Sequence, residues 1–241
     1  VARKKETKMT MTRRMLLSGF AAGLVVGGDG VCRRVSAQDV GQWFPLVGDD
    51  GRPVANTRLP VELTSEAEDL PGAIWLGSER RDFMLVEFYD YNCPWCRKAV
   101  ADIHELMQAT PELRVGLVNN PILSPGSVEA AKVELALTRL GRPESVYRFH
   151  QGLFEKRGPV NGARALEVAD ELGAPRAKVE ELARSPEIDD DLKMQMRLAS
   201  SLGFAATPSF LIAGAGVLGY PGPTALARVL DEVRRCDRIA C

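Results

Sequence analysis

VEFYDYNCPWCRKAV, residues 86–100, decides how the rest of the chain is read. An apolar run ends in a polar turn, two cysteines follow two residues apart, and an amphipathic pattern begins. Residues 82–89 have the length and composition of a strand. Val100, Ile103, Leu106 and Met107 recur at helical spacing, and Pro111 stands just past the end of the pattern. Residues 113–118 form a second short apolar run that stops at Asn119-Asn120-Pro121. Strand, helix and strand at this spacing predict a right-handed βαβ unit with Cys93-Pro94-Trp95-Cys96 at its strand–helix junction.

Downstream, residues 125–203 read as a helical block. Ser124-Pro125 is an N-cap followed by proline at the first helical position, and Leu140-Gly141 is the matching stop. Leu166, Ala169 and Leu172 make a second stripe ending at Gly173. Ser185-Pro186 opens a helix with Leu192, Met196, Ala199 and Leu202 inward, closed by Gly203. Residues 209–213 and 217–220 then read as strands around a Gly214-Ala215-Gly216 turn, and Leu226, Val229, Leu230 and Val233 as a last helix. Upstream, residues 73–76 could form a short strand, and residues 38–70 read as an arm of loops and short strands.

Arg13-Arg14 precedes an apolar stretch from Met15 to Gly28, and Val35-Ser36-Ala37 offers small residues to a signal peptidase. This predicts an export signal, of the twin-arginine or the general secretory type, cleaved after Ala37; residues before Met9 read as an upstream start-codon choice. The expected organisation is therefore a leader at 1–37, an arm at 38–72, one α/β half at 73–124, the helical insertion at 125–203 and the second half at 204–241.

Of 31 basic and 32 acidic residues, eight and two lie in residues 1–37. The chain beyond Ala37 has 23 and 30, a net charge near −7, which argues against a nucleic-acid binder. Cleavage also removes Cys32 and leaves Cys93, Cys96, Cys236 and Cys241. An even count in an exported chain favours disulfides, although a chain this long can bury its own core. Cys236 and Cys241, five apart, are expected to tie the last helix to the tail.

Three chemistries fit Cys93 and Cys96. A structural zinc site needs four nitrogen or sulfur ligands, and only Cys236, Cys241, His104 and His150 are on hand, at loose spacing. A purely structural disulfide is the second. The third is a redox pair, which the position favours. Unpaired N–H groups and the dipole at a helix start stabilise a Cys93 thiolate, making it a nucleophile and a good leaving group. Cys96, one turn in, would resolve a mixed disulfide, and Pro94 suits a first turn that has no partner for its missing N–H.

Residues 87–96 (EFYDYNCPWC), Pro121-Ile122-Leu123, Ser127-Val128-Glu129-Ala130-Ala131, Phe149-His150 and residues 206–212 (ATPSFLI) together resemble the DsbA family of bacterial thiol–disulfide oxidoreductases, in its suppressor-of-copper-sensitivity-type branch. The resemblance runs from about residue 74 to 233. It implies a thioredoxin-like α/β fold (βαβ…ββα) with an inserted helical subdomain. It also implies an exposed attacking thiolate at Cys93, a buried partner at Cys96, and a cis peptide before Pro208 that sets the Thr207 backbone beside Cys93. Glu87, costly to bury inside an apolar strand, would relay the proton of Cys96. Trp95 stands where the best-known oxidase of the family has histidine, and indole cannot hold a positive charge near the thiolate, so a milder oxidant is expected.

The expected activity is thiol–disulfide exchange in the periplasm, most simply dithiol oxidation. The expected partners are unfolded exported polypeptides and a membrane redox protein, with no metal or organic cofactor beyond the Cys93–Cys96 disulfide. Disulfide isomerisation or reduction by the same fold is the alternative, and a periplasmic holdase or copper-binding protein is the reading from another class. The arm lacks a heptad pattern, so a monomer is expected. His104 is expected to be solvated, and His150 to be a hydrogen-bonded packing residue.

Overall fold

The computed structural model describes residues 43–241, so the expected leader and Cys32 lie outside the described residues. The chain runs β1 (Asn56–Arg58), α1 (Val61–Glu68), β2 (Ile74–Gly77), β3 (Met84–Tyr89), α2 (Pro94–Ala109) and β4 (Arg114–Asn119). Helices α3 (Pro125–Thr138), α4 (Pro143–Glu155), α5 (Gly162–Glu171), α6 (Arg176–Ala183) and α7 (Pro186–Ser201) follow. It ends with β5 (Ser209–Ile212), β6 (Ala215–Leu218) and α8 (Pro223–Cys236).

The strands form one sheet in the order β1-β6-β5-β3-β4-β2. The β3–β4 pair is parallel, as the intervening helix requires, and the other pairs are antiparallel. β3 therefore sits in the interior of the sheet, and alternation along it divides the core. Leu85 and Tyr89 pack with Ile103 of α2, Phe149 and Leu153 of α4, and Leu226, Val229 and Leu230 of α8. Val86 and Phe88 pack on the other face with Leu198 and Ala199 of α7, its C-cap Leu202 and Ala67 of α1. Glu87 shares the parity of Leu85 and Tyr89 and points toward the α2 side.

Three expectations need correction. The arm holds more than loops and short strands. It contains helix α1, and β1 closes the sheet edge against β6. Asp49 also caps the last helix, accepting from Thr224 N at 3.0 Å and Ala225 N at 2.7 Å. α1 starts after Pro60 without a side-chain cap, so no cap signal marks it in the sequence. Second, the β5–β6 turn is Ala213-Gly214, not Gly214-Ala215-Gly216. Both turn residues have positive φ (46° and 71°), as a two-residue primed turn needs, and Ile212 pairs with Ala215. Third, the helical block holds α4 and α6 besides the three helices expected. Both begin after residues that make no side-chain cap, Arg142 and Pro175.

Cys236 and Cys241 form a disulfide with Cα atoms 6.4 Å apart. It joins the end of α8 to the tail beside buried Ile239. The loop it closes is short, so in the chain-entropy account the bond contributes about 2 kcal/mol. A Cys236→Ser, Cys241→Ser double variant is expected to lose about that much stability in chemical denaturation. Its rate of disulfide exchange at Cys93 should match the parent's.

Candidate active site

The turn that ends β3 sets up the cysteine pair. Cys93 N donates to Asp90 O at 3.0 Å, with Tyr91 and Asn92 as the two central residues of the turn. Cys93 is the N-cap of α2, Pro94 follows in its first turn, and Arg97 N donates to Cys93 O at 3.1 Å. Side chains lock the turn. Asp90 Oδ1 accepts from Asn92 N (2.7 Å) and Ser127 Oγ (2.6 Å), and Oδ2 accepts from Leu123 N (2.8 Å). Asn92 Nδ2 donates to Ser124 Oγ, Ser127 Oγ and Val160 O within 3.1 Å, while its Oδ1 accepts from Val160 N.

The two thiols are free. Cys93 Sγ accepts from Cys96 N at 3.4 Å and donates to Thr207 O at 3.1 Å. The Thr207–Pro208 peptide is cis, and Pro208 O is held by Gly219 N at 2.9 Å. Helix α2 and the segment before β5 thus meet over one sulfur. Cys96 is fully buried, whereas Cys93, expected to be exposed, is only 4% accessible, because the Thr207 carbonyl lies against its sulfur. Within the motif Pro94 is exposed, and so is Trp95, 56% accessible. Its ring centroid lies 6.4 Å from that of Tyr220, with Lys98 Nζ within 6 Å of both rings.

These contacts separate the two thiols chemically. Cys93 is lowered to about 6, first by a hydrogen bond from the Cys96 thiol, against the opposing effect of burial. The Thr207 side chain and the backbone N–H groups of Cys96 and Trp95 add to the lowering. The Thr207 hydroxyl is buried and makes no hydrogen bond to another protein group. Backbone groups at the helix start, on which the sequence argument rests, are real but smaller than the Cys96 contribution. Burial pushes Cys96 far up, and the nearby negative charges of Glu87 and Cys93 push it further.

Glu87 is fully buried and neither carboxylate oxygen has a hydrogen-bond partner. β3 is an interior strand packed on both faces, so no solvent face is available to it. Burial first, and the Cys93 charge second, raise it to about 8. The structure thus brings together Cys93, Cys96, Thr207 and Pro208, and sets Glu87 where it feels both sulfurs. Cys236 and Cys241 are bonded to each other.

His104, expected to be solvated, is half-buried, with Gln108 Nε2 at 3.0 Å and the Tyr147 hydroxyl at 3.4 Å from its ring nitrogens. His150 is buried, with Nδ1 3.3 Å from the Tyr91 hydroxyl. Among the described residues, the one group of three potential metal ligands is Glu232, Cys236 and Cys241, and its two sulfurs are joined in the disulfide.

Sequence reasoning quoted Asp90 and Ser127 without giving either a role, and passed over Glu134. Glu134 is fully buried in α3 within the apolar run Val133-Glu134-Leu135-Ala136-Leu137. That is the same signal, a carboxylate inside an apolar stretch, that singled out Glu87.

Residues 84–231 match the DSBA-like thioredoxin domain family. A thioredoxin-like oxidoreductase from Silicibacter pomeroyi is 34% identical, with 71% of this chain and 98% of that one covered at a TM-score of 0.66. The thiol-disulfide exchange protein alpha-DsbA2 from Wolbachia pipientis shares the fold at 23% identity and a TM-score of 0.66, with 72% and 92% covered. The catalytic domain of Proteus mirabilis ScsC shares it at 20% identity and a TM-score of 0.64, with 73% and 98% covered. No curated protein matches the chain in sequence. A family match over more than half of the chain, set on a mixed sheet with two free cysteines at the start of α2, identifies the chain as a member of the DsbA-like thioredoxin family of thiol–disulfide oxidoreductases.

Proposed function

We propose that the chain is an exported dithiol oxidase that passes the Cys93–Cys96 disulfide to thiols of unfolded exported polypeptides. The observation that carries this reading is the unequal pair. A Cys93 lowered to about 6 stabilises the reduced form and makes Cys93 a good leaving group. Both properties make the disulfide an oxidant.

In the forward direction a substrate thiolate attacks Cys93 Sγ of the disulfide. The S–S bond to Cys96 breaks, and Cys96 leaves with the electron pair. A thiolate at that buried position is strongly disfavoured, so it takes a proton, for which the neutral carboxyl of Glu87 is the nearby source. A second substrate thiolate then attacks the substrate sulfur of the mixed disulfide and releases Cys93 as a stable thiolate. Two electrons have moved from substrate to enzyme, and a substrate disulfide has formed. Thr207 beside Cys93 offers a backbone edge for an extended peptide, and exposed Trp95, Ile122 and Leu123 give its side chains apolar surface. Trp95 in place of a cationic group favours a milder oxidant. Reoxidation falls to a membrane redox partner, and no metal or organic cofactor takes part.

Among the described residues no helix is long and apolar enough to cross a membrane. The periplasm is the proposed location, the monomer the proposed state and residues 1–37 the proposed export signal. The test is oxidation of a reduced, unfolded disulfide protein in a glutathione buffer. The chain is expected to accelerate it, and Cys93→Ser to lose all acceleration. Acceleration of insulin reduction alone would move the reading to a reductase or isomerase. Failure of exchange in both directions, with tight copper(I) binding to the wild type, would replace it with the soft-metal reading.

A further inference from the structure

Glu134 takes no part in the chemistry above, yet it is a fully buried carboxylate with several partners. It accepts from the hydroxyls of Tyr89 and Tyr91 and, at 2.6 Å, from Asn119 Nδ2. His150 Nδ1 lies 3.5 Å from its second oxygen. Burial, and next the Glu134 charge, raise both tyrosines well above their ordinary value, so the hydroxyls stay protonated donors.

The two tyrosines sit in different settings. Tyr89 ends β3 and is held by the sheet, where it pairs with Asn119 and its carbonyl accepts from Asn120 N at 2.7 Å. Tyr91 lies beyond the strand, at the centre of the turn that delivers Cys93. The other central residue, Asn92, is anchored to Ser124, Ser127 and Val160. The side-chain anchors of Tyr91 and Asn92 therefore come from α3, its N-cap Ser124, Val160 and His150 of α4.

We propose that Glu134 is a positioning residue for the redox pair: through the Tyr91 hydroxyl, its buried carboxylate holds the 90–93 turn in the geometry that reduced Cys93 needs. This rests on the redox reading of Cys93 and Cys96. In the reduced chain only the turn and the N-cap aim Sγ at Cys96 N and Thr207. In the oxidised chain the Cys93–Cys96 bond itself fixes the end of the turn, so the anchor matters less. Loss of the anchor therefore penalises the reduced form more and makes the disulfide a weaker oxidant.

The test compares Tyr91→Phe with Tyr89→Phe, each of which removes one hydroxyl from the same carboxylate and keeps its ring. The glutathione equilibrium of the pair is read by alkylation and mass analysis of the Cys93–Cys96 peptide, and the stability of both redox forms by denaturation. Tyr91→Phe is expected to shift the equilibrium toward the disulfide by about threefold to tenfold, which is about 15 to 30 mV toward lower potential. Tyr89→Phe is expected to cost comparable stability and to shift it by less than about twofold. An unshifted equilibrium in Tyr91→Phe, or an equal shift in both variants, overturns the inference and leaves Glu134 a fastening between insertion and sheet. A wild-type chain with no Cys93–Cys96 equilibrium overturns the proposed function and this inference together.

Discussion

Glu87→Gln is expected to make the reduced protein more stable at pH 8 and above, by several kcal/mol, while leaving it nearly unchanged near pH 4. Glu87 is fully buried, its oxygens have no partner, and it is raised from 4.5 to about 8. A carboxyl raised on folding binds its proton more tightly in the native state. The stability it allows is fully present below about pH 4.5 and is lost as the pH rises through about 8. At about 1.4 kcal/mol per unit the loss is on the order of 4 to 5 kcal/mol. Glutamine carries no charge to be desolvated, so the variant escapes it. Near pH 4 its unpartnered amide is no better placed than the protonated acid, and the two proteins converge. Part of the shift comes from the Cys93 thiolate, so the gain should be smaller in the oxidised chain, which has no such charge. Activity should move the other way, with exchange slowed by about tenfold to a hundredfold as the proton source for Cys96 is lost. Denaturation curves of both redox forms at pH 4, 6 and 8, beside exchange rates, check both signs. A variant less stable than the wild type at pH 8 would mean that Glu87 is ionised and paired in the native protein.

Cys96→Ala is expected to trap a stable mixed disulfide when its Cys93 thiolate attacks a disulfide-bonded substrate and displaces one substrate sulfur as a thiolate, and to raise the pH at which Cys93 becomes reactive. Without Cys96 no internal thiol resolves the intermediate. The Cys96 thiol is also the largest cause of the low Cys93 value, so its removal should return Cys93 toward its ordinary 9. In the reduced wild type the alkylation rate should rise with a midpoint near pH 6; in the variant the midpoint should move up by at least about one unit. The same shift has a stability consequence. A thiol lowered on folding contributes stability that is full above its unfolded value, near 9, and is lost as the pH falls through about 6. The reduced wild type should therefore lose stability across that window on acidification, and Cys96→Ala should lose less. An unchanged midpoint would assign the lowering to the helix start and Thr207 instead.

The parts of this molecule legible in sequence were those with short-range signals. Periodicity and a proline past its end placed α2, and the apolar runs on either side of it placed β3 and β4. The Ser124 and Ser185 caps located α3 and α7, whose N-terminal N–H groups they accept. What stayed hidden depends on contacts distant in the chain. Nothing near Asp49 announces that it caps a helix 175 residues on, and the uncapped starts of α1, α4 and α6 carry no local mark. The low exposure of Cys93 follows from Thr207, 114 residues away. Glu87 was legible because a carboxylate inside an apolar strand is costly. Glu134 gives the same signal, but it is partnered by residues on two strands, a turn and a second helix, which a helical pattern alone does not reveal.

The most direct test of the account is the reduction potential of the Cys93–Cys96 couple, by equilibration with glutathione and assignment of the couple by its loss in Cys93→Ser. A low Cys93 value set against an uncharged Trp95 predicts an oxidising but moderated couple, between about −120 and −200 mV, the range spanned by strong exported oxidants and isomerases. A value near about −270 mV, that of a thioredoxin-like reductant, would contradict it.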